Sequence, residues 1–302
     1  MALIDKASLL MVPSTYEAGK LYNVLPSGNR APDSTDQNSG YDQTRADFDF
    51  DRGSNAAATR IDSNGLLQKY RENKLLRSNQ FDTTWVKADT SVTSGQADKD
   101  GGTSAWMLQS TSTGSYRRVS QATSTSDVIT NSIIAKAGTA DFLAITDAAG
   151  AGSSIAYFNL SNGTVGTIVG TAMIDTSMES LGNGFYRCSV AQLGAGAGYA
   201  LWFLADADNN PASTIGANVV IQNAQQELGL VATTYLNSGA TTAKAGVLID
   251  LPRINYDANG NNGALLLEPS ATQLIGYTEY FGSSYWTKSG STVVSGFTSP
   301  EG

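Results

Sequence analysis

Three groups of side chains in this sequence are spaced for chemistry. Asp47, Asp49 and Asp51 alternate along one run, and Asp206 and Asp208 along another. Paired carboxylates are what glycoside hydrolysis uses, one as acid and the other as base or nucleophile. The acid of such a pair needs an apolar pocket to raise its pKa. Nothing in the flanking sequence marks one, so a solvated strand face and a loop are the favoured reading. Asp257, Asn259 and Asn261, with Asn262 beside them, follow a D-x-N-x-N rhythm, and Asp206, Asp208, Asn209 and Asn210 form a second oxygen-rich cluster. Hard oxygen donors suit Ca²⁺. The first cluster lacks a closing Glu at loop spacing, and an Asx-rich turn is favoured over a metal site for both. Ca²⁺ is the one candidate cofactor. Third, Tyr157, Tyr199 and Trp202 are candidates to stack on sugar rings. Trp202 lies in a run that is apolar on both faces, which suits a central buried strand better than an open one.

Much other chemistry is excluded. The 302 residues include no histidine and one cysteine, Cys188. Ser-His-Asp and Cys-His nucleophilic sites and the usual Cys/His zinc sites are therefore ruled out. An intrachain disulfide is ruled out as well. Cys188, between Arg187 and Ser189, reads as a small buried hydrophobe. The formal net charge of −8 repels phosphate backbones, so nucleic acid is not an expected partner. No stretch approaches the ~18 apolar residues of a membrane span, and the first ten residues carry Asp5 and Lys6 instead of a signal-peptide core. Synthesis and folding in a cytoplasm are expected.

The elements that would position these groups are strands. Hydrophobic residues make up 41% and charged residues 15%, with Ser, Thr, Gly, Asn and Ala filling the remainder. Strand-like runs fall near 115–119, 128–136, 142–146, 155–160, 164–169, 185–190, 199–204 and 218–227. Between them sit turn signals such as Ser161-Asn162-Gly163 and Leu181-Gly182-Asn183-Gly184. Short strands at this spacing predict an antiparallel β-sandwich of jelly-roll type. The stretch from Met173 to Leu181 reads as a weak helical turn at most. Ser63-Asn64-Gly65 before Leu66-Leu67 is a hairpin signal. Residues 27–45, rich in Ser, Asn, Asp, Gly and Pro, read as a linker.

The sequence also resembles itself at a separation of about 200 residues. Asn73-Lys74-Leu75-Leu76, Phe81 and Trp85-Val86-Lys87 recur as Thr272-Gln273-Leu274-Ile275, Phe281 and Trp286-Thr287-Lys288. A Ser/Thr/Val strand follows each, and Arg60-Ile61-Asp62 and Arg253-Ile254-Asn255 precede them. The repeated Trp85 and Trp286 read as structural. One full module and the opening of another are expected, and first strands alone leave edges and half a core uncovered. Continuation of the polypeptide, or completion by a partner, is the expected remedy.

Several of these runs form a recognisable pattern. Gly182-Asn183-Gly184-Phe185-Tyr186-Arg187-Cys188-Ser189 resembles a G-N-G-W-Y-R-x-S strand found in phage tail-fibre and head-spike proteins. Ile221 to Gly229 with Ala232-Thr233-Thr234-Tyr235-Leu236 is similar to the closing strand of that module. Asn73 to Trp85 is similar to its opening, and Thr59 to Leu67 and Leu9 to Pro26 resemble segments that precede it. The departures are Phe185, where the family has Trp, and Asn223, where it has Gly. The resemblance to bacteriophage fibre and head-spike proteins covers nearly the whole chain. It implies a carbohydrate-binding-module-like jelly roll on a virion appendage, an N-terminal region that docks on other virion proteins, and a homo-oligomer, usually a trimer.

The resulting expectation is an all-β chain: an extended N-terminal anchor and linker over 1–45, a small β region over 46–72, a jelly roll over 73–242, and a connector with the start of a second module over 243–302. The expected function is non-enzymatic: a virion fibre or spike that contacts host-surface glycans. A carbohydrate-binding adhesin module and an accessory region of a polysaccharide depolymerase are the alternatives.

Overall fold

The computed structural model describes residues 11–13, 20–23, 48–49, 58–146, 154–194, 196–248, 253–267, 274–276, 278 and 280–294. Every regular element among them is a strand. β-branched and aromatic residues in short runs between Gly/Asn turns favour this outcome. The chain divides into two units, one made of 71–244, which holds the sandwich, together with 275–297, and one holding two hairpins near 59–69 and 254–265.

The sandwich has twelve main strands. They are β1 Val86–Ala88, β2 Thr90–Gln96, β3 Ala105–Ser110, β4 Arg118–Thr125, β5 Val128–Ala137, β6 Phe142–Thr146, β7 Ile155–Asn159, β8 Thr164–Val169, β9 Met173–Gly182, β10 Phe185–Leu193, β11 Gly196–Ala205 and β12 Asn218–Leu228. Sheet one runs β8-β7-β6-β11-β4-β1, and sheet two runs β9-β10-β5-β12-β3-β2. All their pairings are antiparallel. Early strands pair with late ones: β3 with β12 and β5 with β10 in sheet two, β4 with β11 in sheet one. That winding, with β6 and β7 as the innermost hairpin, is a jelly roll. The stretch expected as a weak helical turn is the edge strand β9, paired with β10 along its length. Eight paired positions along a ten-residue strand override a weak local preference.

Alternation sorts the side chains. Leu108, Val119, Ile133, Leu143, Ile145, Phe158, Cys188, Val190, Trp202 and Ile221 point between the sheets and form the main core. β11 is apolar on both faces because it is central to sheet one. Its other side joins Ala144, Ile155 and Tyr157 in a second apolar cluster on that sheet's outer face.

The segment leading into the sandwich closes one side of it. It supplies β1 to the edge of sheet one and β2 to the edge of sheet two, with Asp89 (φ 53°) between them. Leu75, Phe81 and Trp85 plug the gap and are buried. Phe81 and Trp85 lie 5.0 Å apart between ring centroids, and Trp85 is 5.5 Å from Trp202.

In the other unit, Thr59–Ile61 pairs with Leu67–Lys69, and Ile254–Asn255 with Ala264–Leu265. Their turns, Asp62-Ser63-Asn64-Gly65 and Asp257-Ala258-Asn259-Gly260, dock on each other reciprocally. A Cβ on Gly65 would lie 2.1 Å from the Ala258 carbonyl oxygen, and one on Gly260 would lie 2.2 Å from that of Ser63. Both glycines have positive φ, so no other residue fits either place without strain. The Ile61 amide also donates to Asn255 Oδ1 at 2.7 Å. The repeated hairpins therefore pair with each other. Strands at Met11–Pro13, Lys20–Asn23 and Phe48–Asp49 form a three-stranded antiparallel sheet, and the remainder of the expected anchor and linker lies outside the described residues.

Candidate functional site

The carboxylates hold turns. The Asp257 carboxylate accepts from the amides of Asn259 and Asn261, both at 2.9 Å, and from Asn262 Nδ2 at 2.8 Å. The Asp257 carbonyl accepts from the Gly260 amide. Asp62 makes the same backbone pattern with Asn64, Leu66 and Gly65, and Asp98 makes it with Asp100, Gly102 and Gly101. One D-x-(N/D)-G turn is thus used three times. These amide bonds favour the ionised form, and hold Asp62 and Asp257 below the usual carboxylate range. Asp98, which also accepts from Ser104 through both backbone and hydroxyl, is held at about 2.

This bears on the proposed Ca²⁺ ligands Asp257, Asn259 and Asn261. A cation needs oxygens converging on it, and here N–H donors converge on the one carboxylate. Among the described residues no group of three or more His, Cys, Asp or Glu side chains is placed to hold a metal. The second cluster is also tied up. Asp208 accepts from the Thr167 amide and hydroxyl, both at 2.8 Å, and is lowered chiefly by that amide. Asp206 accepts from the Thr214 amide at 2.8 Å, and Asn210 from that of Ala212 at 3.1 Å. Asp47 and Asp51 lie outside the described residues.

The aromatic candidates separate by face. Trp202 points into the main core and has no exposed surface. It is a packing residue, because the inward register of β11 sets its ring against Trp85. Tyr157 and Tyr199 both lie on the outer face of sheet one. Tyr157 is only 2% exposed, its ring edge-on to Phe203 at 5.9 Å, while Tyr116 meets the same phenylalanine at 5.3 Å. Burial raises the Tyr157 phenol to about 12, helped by Tyr116 and Asp208. Neither of its ring faces is open to a sugar. Tyr199 is 43% exposed and can present its ring. It lies four residues along β11 from Phe203, ~13 Å at strand rise. Tyr116 and Phe203, which complete this aromatic cluster, had no signal in the sequence beyond their being aromatic.

The motif residues of the closing strand turn out to be a polar lock on the opposite outer face. Glu227 accepts from the Thr233 amide and hydroxyl at 2.8 and 2.6 Å and from Gln225 Nε2 at 2.7 Å. Gln225 Oε1 accepts from the Leu236 amide at 2.7 Å, and Arg187 donates to the Thr233 carbonyl. Together they hold the segment after β12 against sheet two. Asn73 ties the opening of the module to its end: its amide donates to the carbonyls of Ala224 and Leu236 and accepts from the amides of Leu75 and Gln226. Asn223 sits at φ 56° in the bulge between β5 and β12, a conformation that Gly or Asn tolerates best. Gly182, Asn183 and Gly184 are all left-handed in the β9–β10 turn. Cys188 is fully buried, and burial pushes its thiol pKa up.

No family model and no curated protein matches the sequence. Among solved structures the chain is similar to the enzymatically active domain of tailspike protein 4 of bacteriophage CBA120, at 16% identity and a TM-score of 0.30. That match covers 53% of this chain and 21% of the tailspike chain, so this chain spans about a fifth of the length of the chain it matches.

Proposed function

We propose that this chain is a non-catalytic structural component of a phage appendage, a fibre or spike on the virion, with a jelly roll that meets host-surface glycan. One observation carries the non-catalytic part. Asp62, Asp98 and Asp257 each hold a turn and Asp208 holds Thr167 of β8, all by accepting backbone amides that lower their pKa. A glycosidase acid requires the opposite shift. The polar chemistry of the fold is used to hold loops in place. The virion assignment is supported by the sequence resemblance, whose motif residues Asn73, Gln225 and Glu227 have structural roles in the jelly roll.

On this reading the N-terminal region docks on other virion proteins, the chain is made in the host cytoplasm, and copies assemble, as a trimer by resemblance. Glycan contact centres on Tyr199, and several copies on one particle turn weak single-site binding into useful avidity. The test is a host-polysaccharide array probed with the chain and with Tyr199→Ala. Binding of the chain, weakened about tenfold or more in the variant as expected for loss of a stacking ring, supports the reading. Release of new reducing ends from any polysaccharide would show an enzyme instead.

A further inference from the structure

The repeat near residue 280 reproduces the local structure of the first opening segment, with the opposite exposure. Phe281 and Trp286 lie 5.1 Å apart at 40° between ring planes; Phe81 and Trp85 lie 5.0 Å apart at 42°. In each copy a lysine two residues past the tryptophan turns back onto backbone carbonyls. Lys87 Nζ donates to those of Asp82 and Trp85, and Lys288 Nζ to those of Gly282 and Ser283. The hairpin ahead of each copy is repeated too, with the same Asp-centred turn. Yet Phe81 and Leu75 are fully buried, whereas Phe281 is 51% and Leu274 87% exposed. Val92 packs on the core, while Val293 and Val294 are exposed. Phe281, Val293 and Val294 are large apolar side chains left exposed within one short segment, and such exposure calls for a partner.

We propose that residues 274–294 are the opening segment of a second sandwich, and that the strands of that sandwich are what its apolar face receives. In the first copy the same face meets Trp202, Trp106 and the edges of β4 and β3. The occupant therefore carries aromatic rings at those places and two free strand edges, where the residues after Trp286 would add as β1 and β2 do. A second copy of the sandwich described above does not qualify, since its β4 and β3 already hold β1 and β2 at those edges. None of this depends on the functional reading.

The test is a graft within the full chain. Residues 74–96 are replaced by 273–297, keeping Asn73 because Thr272 has no amide to make its four hydrogen bonds. A second graft carries the same residues scrambled. The true graft is expected to keep one cooperative unfolding transition, lowered by about 5–10 °C, and the scrambled one to lose it. Phe281→Ser in the unmodified chain is expected to leave the transition within about 2 °C, whereas the corresponding Phe81→Ser abolishes it. Loss of the transition in the true graft overturns the proposal. So does a Phe281→Ser shift as large as that of Phe81→Ser, because the face would then already be covered.

Discussion

The two outer faces of the jelly roll are covered by opposite means. On sheet one, Ala144, Ile155, Tyr157, Leu201 and Phe203 form an apolar cluster, with Tyr116 packed on it. On sheet two, Gln225, Glu227 and Arg187 hold the segment after β12 through directed hydrogen bonds. Apolar cover is non-directional and its energy follows area. Polar cover fixes one geometry, and each broken bond leaves a buried group unsatisfied. Sheet one can therefore carry an exposed ring such as Tyr199 at its margin without a fixed partner, whereas sheet two specifies where its covering segment lies. In the proposed function, contact with glycan therefore falls to sheet one and architectural constancy to sheet two.

The largest test of this contrast is Phe203→Ala. It removes the ring shared by Tyr116 and Tyr157 and is expected to cost about 3–5 kcal/mol. The check is a lowered denaturant midpoint at unchanged slope, since the loss is global. Glu227→Gln on sheet two keeps the shape but weakens the bonds to the Thr233 amide and hydroxyl, and an effect of about 1–3 kcal/mol is expected. Hydrogen exchange should show it locally, as faster exchange at Thr233 and Leu236 while β6 and β7 stay protected. Equal acceleration across both sheets would break the distinction.

Smaller effects sharpen it. Asn223→Gly should leave stability within about 0.5 kcal/mol, while Asn223→Val, branched at a left-handed position, should cost about 1–3 kcal/mol in thermal unfolding. Tyr199→Ala should stay within about 0.5 kcal/mol whatever it does to glycan binding, because the ring is already partly solvated. The smallest effect is a titration. The Asp98 carboxyl should protonate near pH 2 by NMR instead of near the 3.8 of a free side chain. Its folded value is depressed, so its contribution to stability is complete above pH 3.8 and disappears as the pH falls toward 2. Asp98→Asn should abolish that dependence.

Several features are legible in the amino-acid order alone. The limits of β6 and β8 follow from short apolar and β-branched runs set between turn residues. The central place of β11 follows from its two apolar faces, and the burial of Cys188 from its strand-like setting. The hairpin at Ser63-Asn64-Gly65 follows from its turn residues. These signals are local, and backbone sterics or a two-residue period suffices to produce them.

Other features depend on residues far apart in the chain. Trp202 and Tyr157 look alike in sequence, yet β11 register sends one ring into the core, while Phe203 and Tyr116 close over the other. The Met173–Gly182 stretch is a strand because β10 offers it a ladder. Asp257 and its asparagines already read as an Asx-rich turn in the sequence, but the docking of that turn on Asp62-Ser63-Asn64-Gly65 is visible only in three dimensions. The twin openings share a Phe-Trp pair in nearly the same ring geometry, yet Phe81 is buried and Phe281 exposed. Local sequence determines conformation through sterics and short-range hydrogen bonds, whereas burial is a property of what else arrives at the same place.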